Sequence, residues 1–194
     1  MANKKVTKMA LIDVELVEIV AHNLAQDTYR WKTASNLDAE LNITEGEATE
    51  LIVNGTLIAQ KRAKDVVTGS TLTVTDNVFS PEVVEFIQGG TANYDNTGKF
   101  VSYQAPVAGE EVKLDKFDFN IYTAQRDVAG DIVSYIKVGF PNCSGKPVNI
   151  KLENGTFFSP SYTITSSPST GEAPYEITAV EELPDLTVTV DPEE

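Results

Sequence analysis

Hydrophobic and polar residues alternate along most of the chain, which is the pattern of β-strands with one buried face. Gly, Pro and Asn stand between the alternating runs, as expected for turns. The runs are STLTVTD (70–76), KFDFNIYTA (116–124), DIVSYIKVGF (131–140), PVNIKLE (147–153), YEITAVEEL (175–183) and LTVTV (186–190). The pattern predicts a mainly β fold, an antiparallel β-sandwich or barrel.

Two Asn-Gly pairs lie between apolar runs and predict tight hairpins. They are Asn54-Gly55 in ELIVNGTLIAQ and Asn154-Gly155 in NIKLENGTFFS. Asn and Gly both tolerate the positive φ angles of a type I′ turn, whose twist matches that of paired strands.

One short α-helix, at about residues 80–88, interrupts the strands. Ser80 is a suitable N-cap, Pro81 suits the first helical position, and Gly89-Gly90 provides a stop. Val83, Val84, Phe86 and Ile87 form its apolar face. A helix of two to three turns is unstable alone, so we expect it to pack on a face or edge of the sheet.

Residues 34–70 are predicted to form a hairpin arm that projects from the body. The segment is acidic at LNITEGEATE and basic at QKRAKD. Residues 165–174, TSSPSTGEAP, are rich in Ser, Pro and Gly and predict a mobile loop. An arm of this kind favours a subunit of an assembly, because unpaired edges are otherwise an aggregation hazard.

Composition limits the function classes. The 194 residues suggest one domain, 1–194, and the formal charge is −14. No Lys or Arg follows Lys151, so the end of the chain, including an extension at 185–194, is strongly acidic. This charge disfavours ordinary nucleic-acid binding. Acidic residues interrupt the N-terminal apolar run, and no run is long enough to span a membrane, so we predict neither a signal peptide nor membrane association.

Catalytic and metal-binding patterns are not recognised in the sequence. His22 is the only histidine and Cys143 the only cysteine, so neither a zinc site nor an internal disulfide can form. Cys143 is expected to be a buried structural residue, and Trp31 a core or subunit contact. NYDNTGK departs from a calcium loop at the twelfth position, where Gln104 replaces the glutamate. We therefore predict no enzyme activity and no cofactor.

Three segments together resemble the major tail proteins of long-tailed phages of Gram-positive bacteria. They are GSTLTVTDNVFSPEVVEFIQGG, with its strand leading into a PEV-type helix that ends in Gly-Gly, YIKVGFPNCSGKP, and the GEAPY loop before a closing strand. AELNITEGEATELIVNGTLIAQKRAKDVVTGS is similar in character to the family's upstream region. The resemblance covers most of residues 8–184 and does not include DLTVTVDPEE.

The resemblance implies a structural virion protein. Six copies would form a hexameric ring, and stacked rings would form the viral tail tube, through whose acidic lumen DNA passes during DNA ejection. The implied partners are further copies of the chain, the tail-tip or baseplate complex and the tape measure protein. The protein would be made in the bacterial host cytoplasm and located in the tail of the bacteriophage.

The resemblance also suggests two contact surfaces. The arm would join successive rings through its opposed charges, and the helix region would contact a neighbouring subunit. The predicted ring-to-ring residues are Glu45, Glu47, Glu50, Lys61, Arg62 and Lys64. The predicted helix-interface residues are Asp76, Phe79, Pro81, Val84, Phe86 and Ile87.

Three other classes remain open from the sequence. A monomeric immunoglobulin-like binding or adhesion module would share the β composition but leaves the arm and helix without a role. A tube subunit of a contractile injection machine is a structural alternative, although such subunits are usually shorter. A hydrolase on a β scaffold is disfavoured by the lone histidine.

Overall fold

A computed structural model describes residues 8–186 as twelve strands and one α-helix. The strand predicted over 186–190 and nearly all of the acidic extension at 185–194 lie outside the described residues. The strands are β1 Leu11–Ala21, β2 Thr28–Trp31, β3 Ala34–Thr44, β4 Ala48–Val53, β5 Thr56–Arg62, β6 Val66–Asp76, β7 Thr91–Tyr94, β8 Phe100–Gln104, β9 Phe117–Arg126, β10 Ile132–Gly145, β11 Ser161–Ser166 and β12 Glu176–Val180, and the helix α1 is Pro81–Gln88.

The main sheet is antiparallel, with the hydrogen-bonded order β2-β1-β9-β10-β11-β6-β3 and with β12 also paired to β10. Strand β10 changes partner along its length. Its Tyr135–Gly139 segment pairs with β12, and its Cys143–Gly145 segment pairs with β11. Between them lies an irregularity in the pairing with β9, where Asn142 has a φ of 48°. Because β10 bends there, it joins two layers, with β2, β1, β9 and β12 on one side and β11, β6 and β3 on the other, and the predicted β-sandwich is confirmed.

The hydrophobic core draws on both layers and on the helix. Its fully buried members include Ile19 of β1, Leu72 of β6, Phe119 of β9, Ile164 of β11 and Ile87 of α1. Along β6 and β11 the buried positions alternate with partly exposed ones, as the period-two pattern predicts. Trp31 and Cys143 are also buried in this core.

Helix α1 begins and ends where the sequence predicts. Pro81 occupies the first turn, and the chain leaves the helix at Gly89, whose φ is 79°. The predicted side-chain cap is wrong in one respect. Ser80 stands at the N-cap, but its hydroxyl makes no capping hydrogen bond, and its carbonyl accepts from the N–H of Val84 at 3.1 Å. The helix is held instead by burial of its apolar face.

The prediction of a second hairpin, at Asn154-Gly155, is wrong. The predicted strand at 147–153 and the residues up to 160 form a loop, with a turn at Asn154-Gly155 and one isolated bridge between Asn149 and Ser161. Ile150 and Leu152 are about three-quarters exposed. Their alternating pattern has no second layer to pack against, so the local turn forms without strands around it.

Two other boundaries differ from the sequence analysis. The loop predicted from residue 165 starts after Ser166, because Thr165 and Ser166 pair with β6 as the end of β11. A hairpin that the pattern did not reveal, β7–β8, follows the helix. Its turn is closed by the carboxylate of Asp95, which accepts hydrogen bonds from the N–H groups of Thr97 and Lys99.

Candidate assembly surfaces

The predicted arm at 34–70 consists of a stem and a tip. The stem is the long antiparallel pair β3–β6, which joins the main sheet through β11. The tip is the β4–β5 hairpin, whose turn is Asn54-Gly55 as predicted. Every residue from 47 to 68 is exposed. The tip therefore extends beyond the body and contributes nothing to the core.

The arm tip is apolar at its end. Between residues 51 and 58 the sequence is LIVNGTLI, without a charge. Five aliphatic side chains there are 47–60% exposed, namely Leu51, Ile52, Val53, Leu57 and Ile58. Soluble monomers rarely expose so many contiguous aliphatic groups, and such patches usually mark a protein contact.

The six charged residues predicted for ring-to-ring contact lie together where the tip meets the stem. The β4–β5 register pairs Ala48 with Arg62, Thr49 with Lys61 and Glu50 with Gln60, so acids and bases lie on the two strands of one hairpin without directly facing each other. Gln60 donates to Glu50 at 2.7 Å, and Arg62 donates to Gln60 at 3.1 Å. Among the described residues, none of the six forms a salt bridge. The bases therefore remain available to a partner, and their inter-ring role stays a prediction.

The junction between tip and stem is tightly packed at Gly46. Its N–H donates to the carboxylate of Asp65 at 3.0 Å. A Cβ at Gly46 would lie 2.5 Å from the carbonyl carbon of Ala63, so only glycine fits there. This close approach fixes the direction in which the tip leaves the stem.

Most of the predicted helix-interface residues are already in contact within the chain. Val84, Ile87 and Asp76 are buried. The carboxylate of Asp76 accepts from the N–H of Val78 at 3.1 Å and so shapes the turn into the helix. Phe86 packs against Tyr29 and Phe117, with ring centroids 4.8 and 5.4 Å away.

Phe79 remains exposed beside the partly exposed Pro81. A subunit contact through these residues stays a prediction, and within this group Phe79 has the most accessible side chain.

Phe79 belongs to a continuous line of rings, which we call the aromatic row. Its centroid lies 5.8 Å from that of Phe158 and 6.4 Å from that of Phe100, and Phe100 lies 6.1 Å from Tyr94. Phe79, Phe100 and Tyr94 are each 38–41% exposed. The row joins three separate segments, namely the turn before α1, the β7–β8 hairpin and the 147–160 loop.

Hydrogen bonds fix the aromatic row in place. The hydroxyl of Tyr94 donates to Glu82 at 2.5 Å, and this hydrogen bond raises the pKa of Tyr94 to about 12. The side chain of Gln88 donates to the hydroxyl of Tyr103 at 2.7 Å and accepts from the N–H of Val148 at 2.6 Å. One glutamine therefore holds the hairpin and the loop against the end of the helix.

A polar network that the sequence analysis missed lies on the outer face of β1, β2 and β9. Glu18 is only 5% exposed. Its carboxylate accepts from Arg30 at 2.7 Å, Asn120 at 2.9 Å and Tyr122 at 3.0 Å. Burial favours the neutral acid, but these hydrogen bonds and the charge of Arg30 outweigh it, so the pKa of Glu18 lies below its ordinary value.

The lowered pKa of Glu18 predicts a pH-dependent stability. Because the folded-state pKa lies below the ordinary 4.5, the carboxylate stabilises the fold above that pH, and this contribution is lost as the pH falls through the folded value. Glu18→Gln is expected to lower the free energy of unfolding at neutral pH by about 2 kcal/mol, since Arg30 loses its buried partner but keeps some solvent access. Urea unfolding between about pH 7 and pH 3 should show this difference shrinking below about pH 4.5.

The matched control for that measurement is Glu15→Gln on the same strand. Glu15 lies 3.6 Å from Arg126, a longer and more accessible pair. Its loss is expected to cost less than about 1 kcal/mol. Equal effects of the two substitutions at every pH would contradict the special role of Glu18.

A groove of about 580 Å³ lies beside this network, over β9, β10 and β12. Its lining includes four carboxylates and one ammonium group, those of Glu18, Asp118, Glu172, Glu176 and Lys137. His22 lies directly after β1, with Nε2 3.0 Å from the carboxylate of Asp118. Within residues 8–186, no three His, Cys, Asp or Glu side chains are grouped to hold a metal ion.

Cys143 has the environment of a structural thiol. It is fully buried, and burial raises its pKa to about 12. A thiol of this kind is protonated at neutral pH and therefore a poor nucleophile.

Helices long and apolar enough to cross a membrane are absent from the part of the chain that the structure describes.

Fold and surfaces together define a mainly β protein with a projecting apolar arm and an exposed aromatic row. No protein-family model matches the chain, and no curated protein sequence matches it significantly. Among solved structures, the chain is similar to one from the cryo-EM structure of the anti-feeding prophage baseplate, 6-fold symmetrised. The TM-score is 0.41 at 10% identity, with 93% of this chain and 98% of that chain covered.

Proposed function

We propose that the chain is a structural subunit of a phage tail tube. It assembles into hexameric rings that stack into a conduit for DNA, and it performs no catalysis. The observation that carries this proposal is the arm at 47–68, which is exposed throughout and ends in uncharged aliphatic residues. An arm with this composition gains stability only when another molecule covers it.

The resemblance of the sequence to phage major tail proteins suggests that the partner of the arm is another copy of the same chain. A contact between an arm and a different surface of the next copy is heterologous, and repeated contacts of that kind build a filament rather than a closed dimer. The net charge of −14 is compatible with a lumen that repels DNA phosphates. The tail-tip or baseplate complex and the tape measure protein would be its other partners in the virion.

Electron microscopy of the purified protein at high concentration, with sedimentation alongside, tests this proposal. Hollow tubes or six-membered rings are the expected result, formed alone or on purified tail-tip complexes. A chain that stays monomeric at high concentration and in the presence of tail tips would refute the tube role. That result would favour the monomeric binding module.

Reversing the basic residues of the arm tests the predicted ring-to-ring contact. Lys61→Glu, Arg62→Glu and Lys64→Glu together are expected to prevent tube growth, because attraction to the neighbouring copy becomes repulsion. The fold should persist, since all three residues are exposed and none forms a salt bridge within the described chain. Pelleting measures assembly, and the unfolding midpoint in urea checks the fold.

A control with the same change of net charge separates this contact from general repulsion. Lys32, Lys113 and Lys116 are exposed lysines outside the arm. Their combined replacement by Glu should leave tubes able to form. If both triple variants assemble like the unmodified protein, the arm charges have no role in stacking.

A further inference from the structure

The arm tip has no covering surface within residues 8–186, so its partner must be sought elsewhere. If rings of this chain alone form the tube, as proposed above, the next ring offers only other copies of the same surface. A heterologous contact then requires the chain to carry both halves, the arm and the surface that receives it. This inference rests on the proposed function and identifies the receiving surface.

The composition of the tip restricts what can receive it. Residues 51–58 present aliphatic groups and no charge. Placed in the groove over β9, β10 and β12, they would remove water from carboxylates such as Glu172 and Glu176 without offering a hydrogen bond or a positive charge. The acidic groove is therefore a poor receiver for the tip.

The aromatic row has the complementary properties. Phe79, Phe100 and Tyr94 are partly exposed, adjoin one another and carry no charge on their rings. Val78, which precedes Phe79 in the chain, is a further apolar residue of this segment and is 49% exposed. Burial of aliphatic groups against such rings is favourable, and aromatic residues are typical anchors of protein contacts.

The row is also held rigid before any contact forms. Gln88 ties the β7–β8 hairpin and the 147–160 loop to the helix, and Glu82 fixes the ring of Tyr94. A surface that is already ordered loses little conformational entropy on binding. The tip is a two-stranded hairpin with a defined turn, so it too is largely organised.

We propose that the arm tip of one copy docks on the aromatic row of a copy in the next ring. Ile52 and Leu57, which pair across the β4–β5 hairpin and therefore share one face, lie against the rings of Phe79 and Phe100. Each contact is smaller than the roughly 800 Å² per partner of a standard interface. Six such contacts repeat around a ring, so two complete rings bind far more strongly than two isolated chains.

Engineered cysteines test this pairing, because the native Cys143 is buried and unreactive. The variant Thr56→Cys/Val78→Cys places one thiol in the turn of the tip and one beside Phe79. In a head-to-tail polymer each chain then forms two bonds, and mild oxidation should yield a ladder of covalent oligomers on a non-reducing gel. Either single variant should give no product larger than a dimer.

The control variant is Thr56→Cys/Val128→Cys. Val128 is fully exposed in the turn between β9 and β10, outside both surfaces. Tubes that pellet normally but give a ladder only with this control, or no ladder at all, overturn the docking on the row and leave the tube proposal standing. Failure of all variants and of the unmodified protein to form tubes refutes the proposed function and this inference with it.

Discussion

Gly145→Ala is expected to destabilise the folded protein by about 3 kcal/mol, at the upper end of what overpacking a core costs. Gly145 ends β10, where helix α1 lies directly against the strand. A Cβ there would overlap the carbonyl oxygen of Ile87 and approach its side chain within 2.5 Å. Because the nearest atom belongs to the backbone, the helix itself must move away from the sheet. Urea unfolding of the two proteins measures the difference.

A second substitution shows which atoms oppose the new methyl group. Ile87→Ala alone removes a fully buried side chain and should cost about 2–5 kcal/mol. If the backbone carbonyl is the obstacle, shortening Ile87 will not relieve the overlap, and the double variant should be at least as unstable as either single one. A double variant more stable than Ile87→Ala would contradict this description of the contact.

Local signals predicted the elements whose partners lie close by in the fold. The start of α1 at Pro81, its end at Gly89 and the alternation in β6 are properties of short segments, and the structure bears them out. The two Asn-Gly pairs show how far prediction from such local signals can go. Both turns form, but only the one at Asn54 is flanked by strands, because pairing depends on what the flanking segments meet in the fold.

The functional surfaces were predictable only in part. Phe79 was identified from the motif around the helix, but the other rings of the row were not. Phe100 and Tyr94 lie on a hairpin that the sequence pattern did not reveal, and Phe158 comes from a loop that was predicted to be part of an Asn-Gly hairpin. Glu18 and Tyr122 are about a hundred residues apart in the chain, so no local pattern could join them.

The charges of the arm and its apolar tip lie at different places. The acidic and basic residues are on the two strands of the hairpin, near its junction with the stem. The uncharged tip extends beyond that junction. In the proposed tube, the charges would select and orient a partner and the aliphatic tip would supply most of the binding free energy.

Replacing the aliphatic tip with serine should abolish assembly. In the variant Leu51→Ser/Ile52→Ser/Leu57→Ser, three side chains that are 52–57% exposed in the free chain lose their apolar character. Burying the exposed half of Ile52 or Leu57, the two side chains on one face of the hairpin, is worth about 1 kcal/mol each, so the variant loses about 2 kcal/mol per contact. This corresponds to roughly a thirtyfold weaker contact, repeated around each ring. The critical concentration for pelleting measures the effect.

The fold should not depend on these three residues, because none of them belongs to the core. The matched control is Leu24→Ser/Val128→Ser, which changes two fully exposed aliphatic residues in turns of the body. It should polymerise like the unmodified protein. If the tip variant polymerises equally well, the exposed aliphatic residues of the arm are not a contact surface, and the tube proposal loses the observation on which it stands. If both variants fail to assemble while remaining folded, the loss reflects general surface hydrophobicity and the arm has no special role.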